Sequence, residues 1–178
     1  MYSGPSPAPG VGDWYELSAG DKGIEETVAV MIRLVRDSLS DPSVKQAAVM
    51  AIQGVPKVDP DAYAEAFYKF AKARFKFVPD YAGVEELTSP AIHSQRILST
   101  GSSYGDCDDY SMTMAAWLLS AGIPARFATI ASKKHGGQFD HVRVEAYTQS
   151  GWRPMEATVK KSVYGQSYPV LRVQTWAV

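Results

Sequence analysis

The 178-residue chain carries 46% hydrophobic and 21% charged residues and a net charge of -1, ordinary for a globular protein long enough to bury a core. Near-neutrality speaks against a nucleic-acid or membrane-surface binder, and no apolar run approaches the roughly 18 residues of a membrane span. A single cysteine forms no intrachain disulfide, and with three histidines it makes a poor metal cage.

Residues 1–20, MYSGPSPAPGVGDWYELSAG, lack the basic start and apolar stretch of a secretory signal and read as a flexible Pro/Gly/Ser-rich tail. Residues 21–178 read as one domain, and one free thiol without a signal points to a reducing, cytoplasmic setting. Lys22 to Leu39 carries Ile24, Val28, Met31, Ile32, Val35 and Leu39 on one helical stripe. Asp41-Pro42 and Asp59-Pro60 each place an N-cap before a proline, predicting a short helix that ends by Gly54 and another through Phe67, Phe70 and Ala71. The aromatics of that third helix are core residues by their spacing, and the pattern stops at Phe77-Val78-Pro79.

Asp80 to Ser103 reads mostly as a connection with a short helix near Pro90–Leu98. A helix then begins at Cys107, with Met114, Trp117, Leu118 and Ala121 inward, Gly122 ending it and Pro124 preventing its resumption. Beyond it the period changes from about 3.6 to 2, predicting strands at Arg126–Ala131, His141–Tyr147 and Trp152–Val159, and a fourth near Leu171–Trp176. The fold class is α+β: N-terminal helices packed on an antiparallel sheet, read as a meander.

Cys107 lies in Gly105-Asp106-Cys107-Asp108-Asp109. Glycine permits a tight turn, Asp106 suits an N-cap, and the thiol falls in the first helical turn, where the helix end favours a thiolate. A buried core thiol is the alternative. A nucleophilic cysteine needs a base and a group that orients the base. His93 sits in the connection and reads as a surface residue, and His135 lies in a Lys-Lys-His-Gly-Gly loop that suits solvent. His141 opens the cleanest strand, on a face with Arg143, Glu145 and Tyr147, and rigid strands position bases well. A turn at Thr148–Gly151 brings the Glu156–Thr158 region opposite or diagonal to His141, making Glu156 the third candidate, with a surface salt bridge as its alternative role.

Gly105-Asp-Cys-Asp-Asp, His141-Val-Arg-Val-Glu and Gly151-Trp-Arg-Pro-Met-Glu-Ala-Thr158, preceded by Phe77-Val-Pro-Asp80 and Glu85-Glu-Leu-Thr-Ser-Pro90, resemble the transglutaminase-like superfamily of cysteine enzymes over roughly residues 22–160. The small stand-alone form found in bacteria and phage is the nearest likeness. The resemblance implies a papain-like core with Cys107 as nucleophile, His141 as base and Glu156 as orienting acid. Glu156 departs from the family's Trp-x-Pro-x-Asp-x-Thr pattern, so its carboxyl must sit one methylene farther from its strand.

The implied reaction is acyl transfer at an amide or peptide bond of a protein or peptide substrate, most simply hydrolysis. Protein-glutamine transamidation is the alternative acceptor chemistry, and a non-catalytic phage or prophage structural module, with virion association, is the alternative outside enzymology. The Cys107 N–H would hold part of the oxyanion, and Tyr104, Gln95 and Trp152 are candidates for the second donor or for substrate contacts. No cofactor is required, although some branches hold Ca²⁺ near the cysteine, which would use Asp108 and Asp109; a dipole-complementing acid pair is the plainer reading. A zinc site built from Cys107, His135 and His141 has unsuitable spacing. The connection 80–104 and the loop 132–140, with Lys133 and Lys134 as a flap or a plain solvated loop, would build the substrate pocket. Oligomeric state is not written in this sequence.

Overall fold

Aspartate–proline pairs start two of the helices. Asp41 and Asp59 lie in extended backbone and accept from first-turn N–H groups, with Pro42 and Pro60 at the first helical positions. The computed structural model describes residues 13–14, 21–55, 59–80, 85–132 and 136–178. In it, α1 (Asp21–Ser38) is followed by α2 (Pro42–Ala51) and α3 (Pro60–Arg74). Ser89 caps α4 (Pro90–Thr100), which ends at left-handed Gly101, and Asp106 caps α5 (Cys107–Ser120). Among the described residues, no helix is long and apolar enough to cross a membrane.

Helix α5 is the centre of the molecule. It is buried from Asp108 through Leu118 and packs against the other four helices on one side and the sheet on the other. Met31 and Val35 of α1, Val44 and Ala47 of α2 and Phe67 and Ala71 of α3 close around it, all with no exposure. Trp117 has Phe70 edge-on at 5.5 Å and Phe67 at 6.2 Å, and donates from Nε1 to Ser94 Oγ at 3.1 Å. The helical stripes expected for α1 and α3 are the faces that meet α5. The stripe expected for α5 is too narrow, because a helix enclosed on every side has no solvent face.

Two short pairings fall where no strand was expected, in the tail, the connection 80–103 and the end of the third helical pattern, which gives way to a strand at Phe75. Of β1 (Asp13–Trp14), β2 (Phe75–Phe77), β3 (Glu86–Leu87) and β4 (Ser103–Gly105), β1 pairs antiparallel with β3 and β2 pairs parallel with β4. Asp13 and Trp14 therefore form a bridge inside the stretch read as a tail; the other residues of that tail lie outside the described residues. Pairs this short carry no periodicity, so only the tertiary arrangement creates them.

The main sheet contains β5 (Ala125–Ala131), β6 (Phe139–Thr148), β7 (Gly151–Met155) and β8 (Arg172–Ala177), all antiparallel in the order β7-β6-β5-β8. It is not a simple meander, because β8 returns to the far edge beside β5. The strand expected to reach Val159 stops at Met155. There the chain turns, and Lys72 Nζ donates to the carbonyls of Val159 and Lys160 at 3.1 Å and Ser162 at 3.2 Å, while Tyr68 donates to Ser162 at 2.6 Å. Asp61 pins the hairpin to α3 by accepting from Thr148, Ser150 and Tyr164, each at 2.9 Å.

Candidate active site

Cys107 is the first residue of α5, reached from β4 by a sharp strand-to-helix turn. Gly105 is required there. A Cβ at this position would meet Asp109 Cβ at 2.6 Å and overlap its Oδ2, so only glycine lets the helix start fold back onto the strand. One turn on, Ser111 Oγ donates to the Cys107 carbonyl at 2.6 Å and lies 3.3 Å from the Val142 carbonyl, tying the helix start to β6 beside His141.

His141 lies on β6 where the β5–β6 register shifts, Ile130 pairing with His141 but Ala131 with Phe139. Val142, Val144 and Ala146 point into the core, while Arg143 and Glu145 share the His141 face. Those two are also buried: Arg143 bonds Glu145 Oε1 at 2.8 Å, and Arg126 takes Oε2 at 2.7 Å. Glu156 lies one residue beyond the last β6–β7 pair, Val144–Met155, which puts it on the same face and diagonal to His141. Its Oε2 is 2.6 Å from His141 Nε2, and Oε1 accepts from Thr158 Oγ1 at 2.8 Å. Cys107 lies beside the same ring and pushes its pKa up, and with Nε2 taken by Glu156 the nitrogen left for chemistry is Nδ1.

Burial works against a charged His141, but the hydrogen bonds and charges of Cys107 and Glu156 prevail and push its pKa up to about 10. Burial likewise opposes the Glu156 charge, yet the His141 hydrogen bond and charge, with Thr158 and Arg143, hold its carboxyl below the usual range. The extra methylene of glutamate spans the gap to the ring. Glu156→Asp is therefore expected to lose the 2.6 Å contact and lower Cys107 alkylation at pH 6 about tenfold, read by iodoacetamide kinetics. A wild-type rate would show that the carboxyl does not orient the ring.

The acids around the thiol are less opposed to a thiolate than their number implies. Asp106 is occupied as the cap, accepting from Asp108 N at 3.3 Å. Asp108 is buried, and burial, then the neighbouring Asp106, the thiol and Asp109, raise its pKa well above the usual carboxylate value, which favours its neutral form. Asp109 Oδ1 accepts from Thr88 N at 3.0 Å. The three carboxylates lie within 4.8 Å of one another. Each already accepts one backbone N–H through Oδ1, and Asp108 and Asp109 are buried. Asp108 and Asp109 occupy the first turn of α5, as the dipole-complementing reading expects, but both are buried.

The sequence profile of the transglutaminase-like superfamily matches residues 50–157, a span that holds Cys107, His141 and Glu156. The chain belongs to the transglutaminase-like superfamily. No curated protein matches it in sequence. Among solved structures, a candidate protease from Parabacteroides distasonis is similar at 12% identity and a TM-score of 0.51, covering 73% of this chain and 26% of that one. A candidate cysteine protease from Cytophaga hutchinsonii is similar at 17% identity and a TM-score of 0.51, covering 84% of this chain and 56% of that one. These likenesses concern the fold, and the chain spans about a quarter and just over half of the two proteins' lengths.

Within this transglutaminase-like fold, two cavities meet at Cys107 and His141. One of about 230 Å³ runs toward α1 and is lined by Ile24, Val28, Phe139 and Val142. The other, of about 560 Å³, lies between Phe77 and the segment Tyr168-Pro169-Val170. The remaining predicted contacts do not line either cavity. Tyr104 lies on the far side of β4 with Arg96 stacked on its ring at 4.7 Å, and Gln95 is on the exposed face of α4. Trp152 packs on Tyr147 and Arg126 near the opposite end of the hairpin, because its register partner is Tyr147. His135, Lys133 and Lys134 lie outside the described residues.

His93 is fully buried, not a surface residue. Its signal was the α4 stripe of Pro90, Ser94 and Ile97, whose face it shares. Sequence reasoning also passed over Ser111 and assigned no role to Thr158. Thr158 stands in the Trp-x-Pro-x-acid-x-Thr pattern and so was legible; Ser111 carried no signal.

Proposed function

We propose that this transglutaminase-like protein is a cysteine-dependent amidase or protease acting on a protein or peptide substrate, with Cys107 as nucleophile, His141 as acid–base and Glu156 as its orienting group. The observation that supports this most is the His141 imidazole, 2.6 Å from the Glu156 carboxylate and lining the same two cavities as Cys107. In the Cys107 thiolate–His141 imidazolium pair, sulfur attacks the amide carbon and the carbonyl oxygen takes the electron pair. The backbone N–H of Cys107 stabilises that oxyanion. Collapse expels the amine, which takes its proton from His141 Nδ1, and a thioester remains on Cys107. Neutral His141 then draws a proton from water, and the hydroxide cleaves the thioester to acid and thiolate. The His141 side chain retains 23% exposure, which leaves a path for that water.

The test is to incubate the protein with a p-nitrophenyl acyl ester and identify the acylated residue by intact and peptide mass spectrometry. A transient adduct on Cys107, absent from Cys107→Ala and discharged by water, is the expected result. Discharge that depends on an added amine would reassign the reaction to transamidation. No adduct would overturn the enzymatic reading in favour of a structural module.

A further inference from the structure

Behind the catalytic turn, on the side away from both Cys107 cavities, lies a second histidine–aspartate pair that the mechanism does not use. His93 has no exposure, and its ring packs 5.1 Å from that of Phe75 on β2. Nδ1 is 2.8 Å from Ser103 Oγ on β4, and Nε2 is 3.1 Å from Asp109 Oδ1 on α5. The second contact lies in ion-pair range but off the line of a hydrogen bond, which leaves Nε2 without an aligned acceptor. Asp109 in turn accepts from the Thr88 N–H and presses on Gly105. One buried ring thus reaches both arms of the strand–turn–helix that carries the nucleophile: Ser103 before Cys107 and Asp109 after it.

An apolar side chain would fill the same space against Phe75 without the cost of burying two ring nitrogens and a carboxylate. We propose that His93 and Asp109 are positioning residues that hold the β4–α5 turn so that the sulfur of Cys107 faces His141, an inference that rests on the cysteine-enzyme reading above. Neither residue lines the two cavities that meet at Cys107 and His141. Their effect is through sulfur placement, and misplacement on the scale of 1 Å costs about 10²-fold in rate.

His93→Phe keeps the ring and its packing but removes both polar contacts, and His93→Gln retains a donor and an acceptor. The rate of Cys107 alkylation by iodoacetamide is measured across pH 6–9 in both variants and in wild type, beside melting temperature and circular dichroism. The expected result is a folded His93→Phe variant whose rate at pH 6 is down tenfold or more and whose pH profile has moved toward that of a free thiol, with partial recovery in His93→Gln. Asp109→Asn, of equal volume, should fall in the same direction. A folded His93→Phe with the wild-type rate and profile overturns the proposal. So does loss of folding in both His93→Phe and Asp109→Asn, because the pair then holds the whole fold and not the cysteine. A wild-type Cys107 no faster than glutathione at pH 6 instead removes the enzymatic reading itself.

Discussion

Replacing His141 by alanine is expected to lower the alkylation rate of Cys107 at pH 6 by about 10²-fold. An ordinary free thiol titrates near pH 8.5, so under 1% of it is thiolate at pH 6. A thiol paired with imidazolium is largely thiolate there, and its somewhat lower nucleophilicity trims the gain to about two orders of magnitude. The pH profile carries the sign. His141 is pushed up to about 10, so its proton stays on across pH 6–9 and the imidazolium stands beside Cys107 throughout that window. In His141→Ala the rate should climb about tenfold per pH unit until a free thiol is fully ionised. Stability follows the same linkage. A histidine raised in the folded state contributes fully below its unfolded value near 6.5, and that contribution is lost as pH rises through about 10. Wild-type melting temperature should therefore fall between pH 7 and 10 by more than that of His141→Ala. A Cys107 that reacts only after denaturation would make it a buried core thiol.

Trp117→Ala is expected to cost about 3–5 kcal/mol of folding stability, the range for deleting a large aromatic from a packed core. Trp117 has no exposed surface, and its ring closes the contact between α5 and the aromatic face of α3 through Phe67 and Phe70. Truncation opens a cavity and strands the buried Ser94 hydroxyl, which accepts from the indole N–H at 3.1 Å. Against a typical total of about 5–15 kcal/mol this is a large share, equivalent to a melting-temperature drop of roughly 6–20 °C for a chain of this size. Trp117→Phe preserves most of the volume and should cost only about 1–2 kcal/mol, chiefly for the lost hydrogen bond. Urea unfolding at pH 7 measures both. A Trp117→Ala midpoint corresponding to less than 1 kcal/mol would mean that the core collapses into the space and that α5 is not held by this ring. Because Cys107 begins the same helix, its native alkylation rate should disappear at the temperature where α5 comes loose.

What was legible in the amino-acid sequence is what neighbours a few residues apart decide. Asp41-Pro42 and Asp59-Pro60 mark helix starts because the cap and the proline act on the turn that follows them. Asp106 and Cys107 mark the start of α5 for the same reason, and the alternation from His141 to Tyr147 gives β6. From spacing, the pairing of His141 with Glu156 was legible only as a possibility of reach through the short turn between β6 and β7, and the family resemblance supplied their roles. Its 2.6 Å contact needed the register that sets Met155 against Val144. The return of β8 to the β5 edge, the parallel β2–β4 pair, the removal of Trp152 from the site and the burial of His93 against Asp109 had no local signature. Each depends on segments distant in sequence arriving together. Their placement was decided by how helices and sheet close around α5, because a packed core accepts only arrangements that fill its volume and satisfy its buried polar groups.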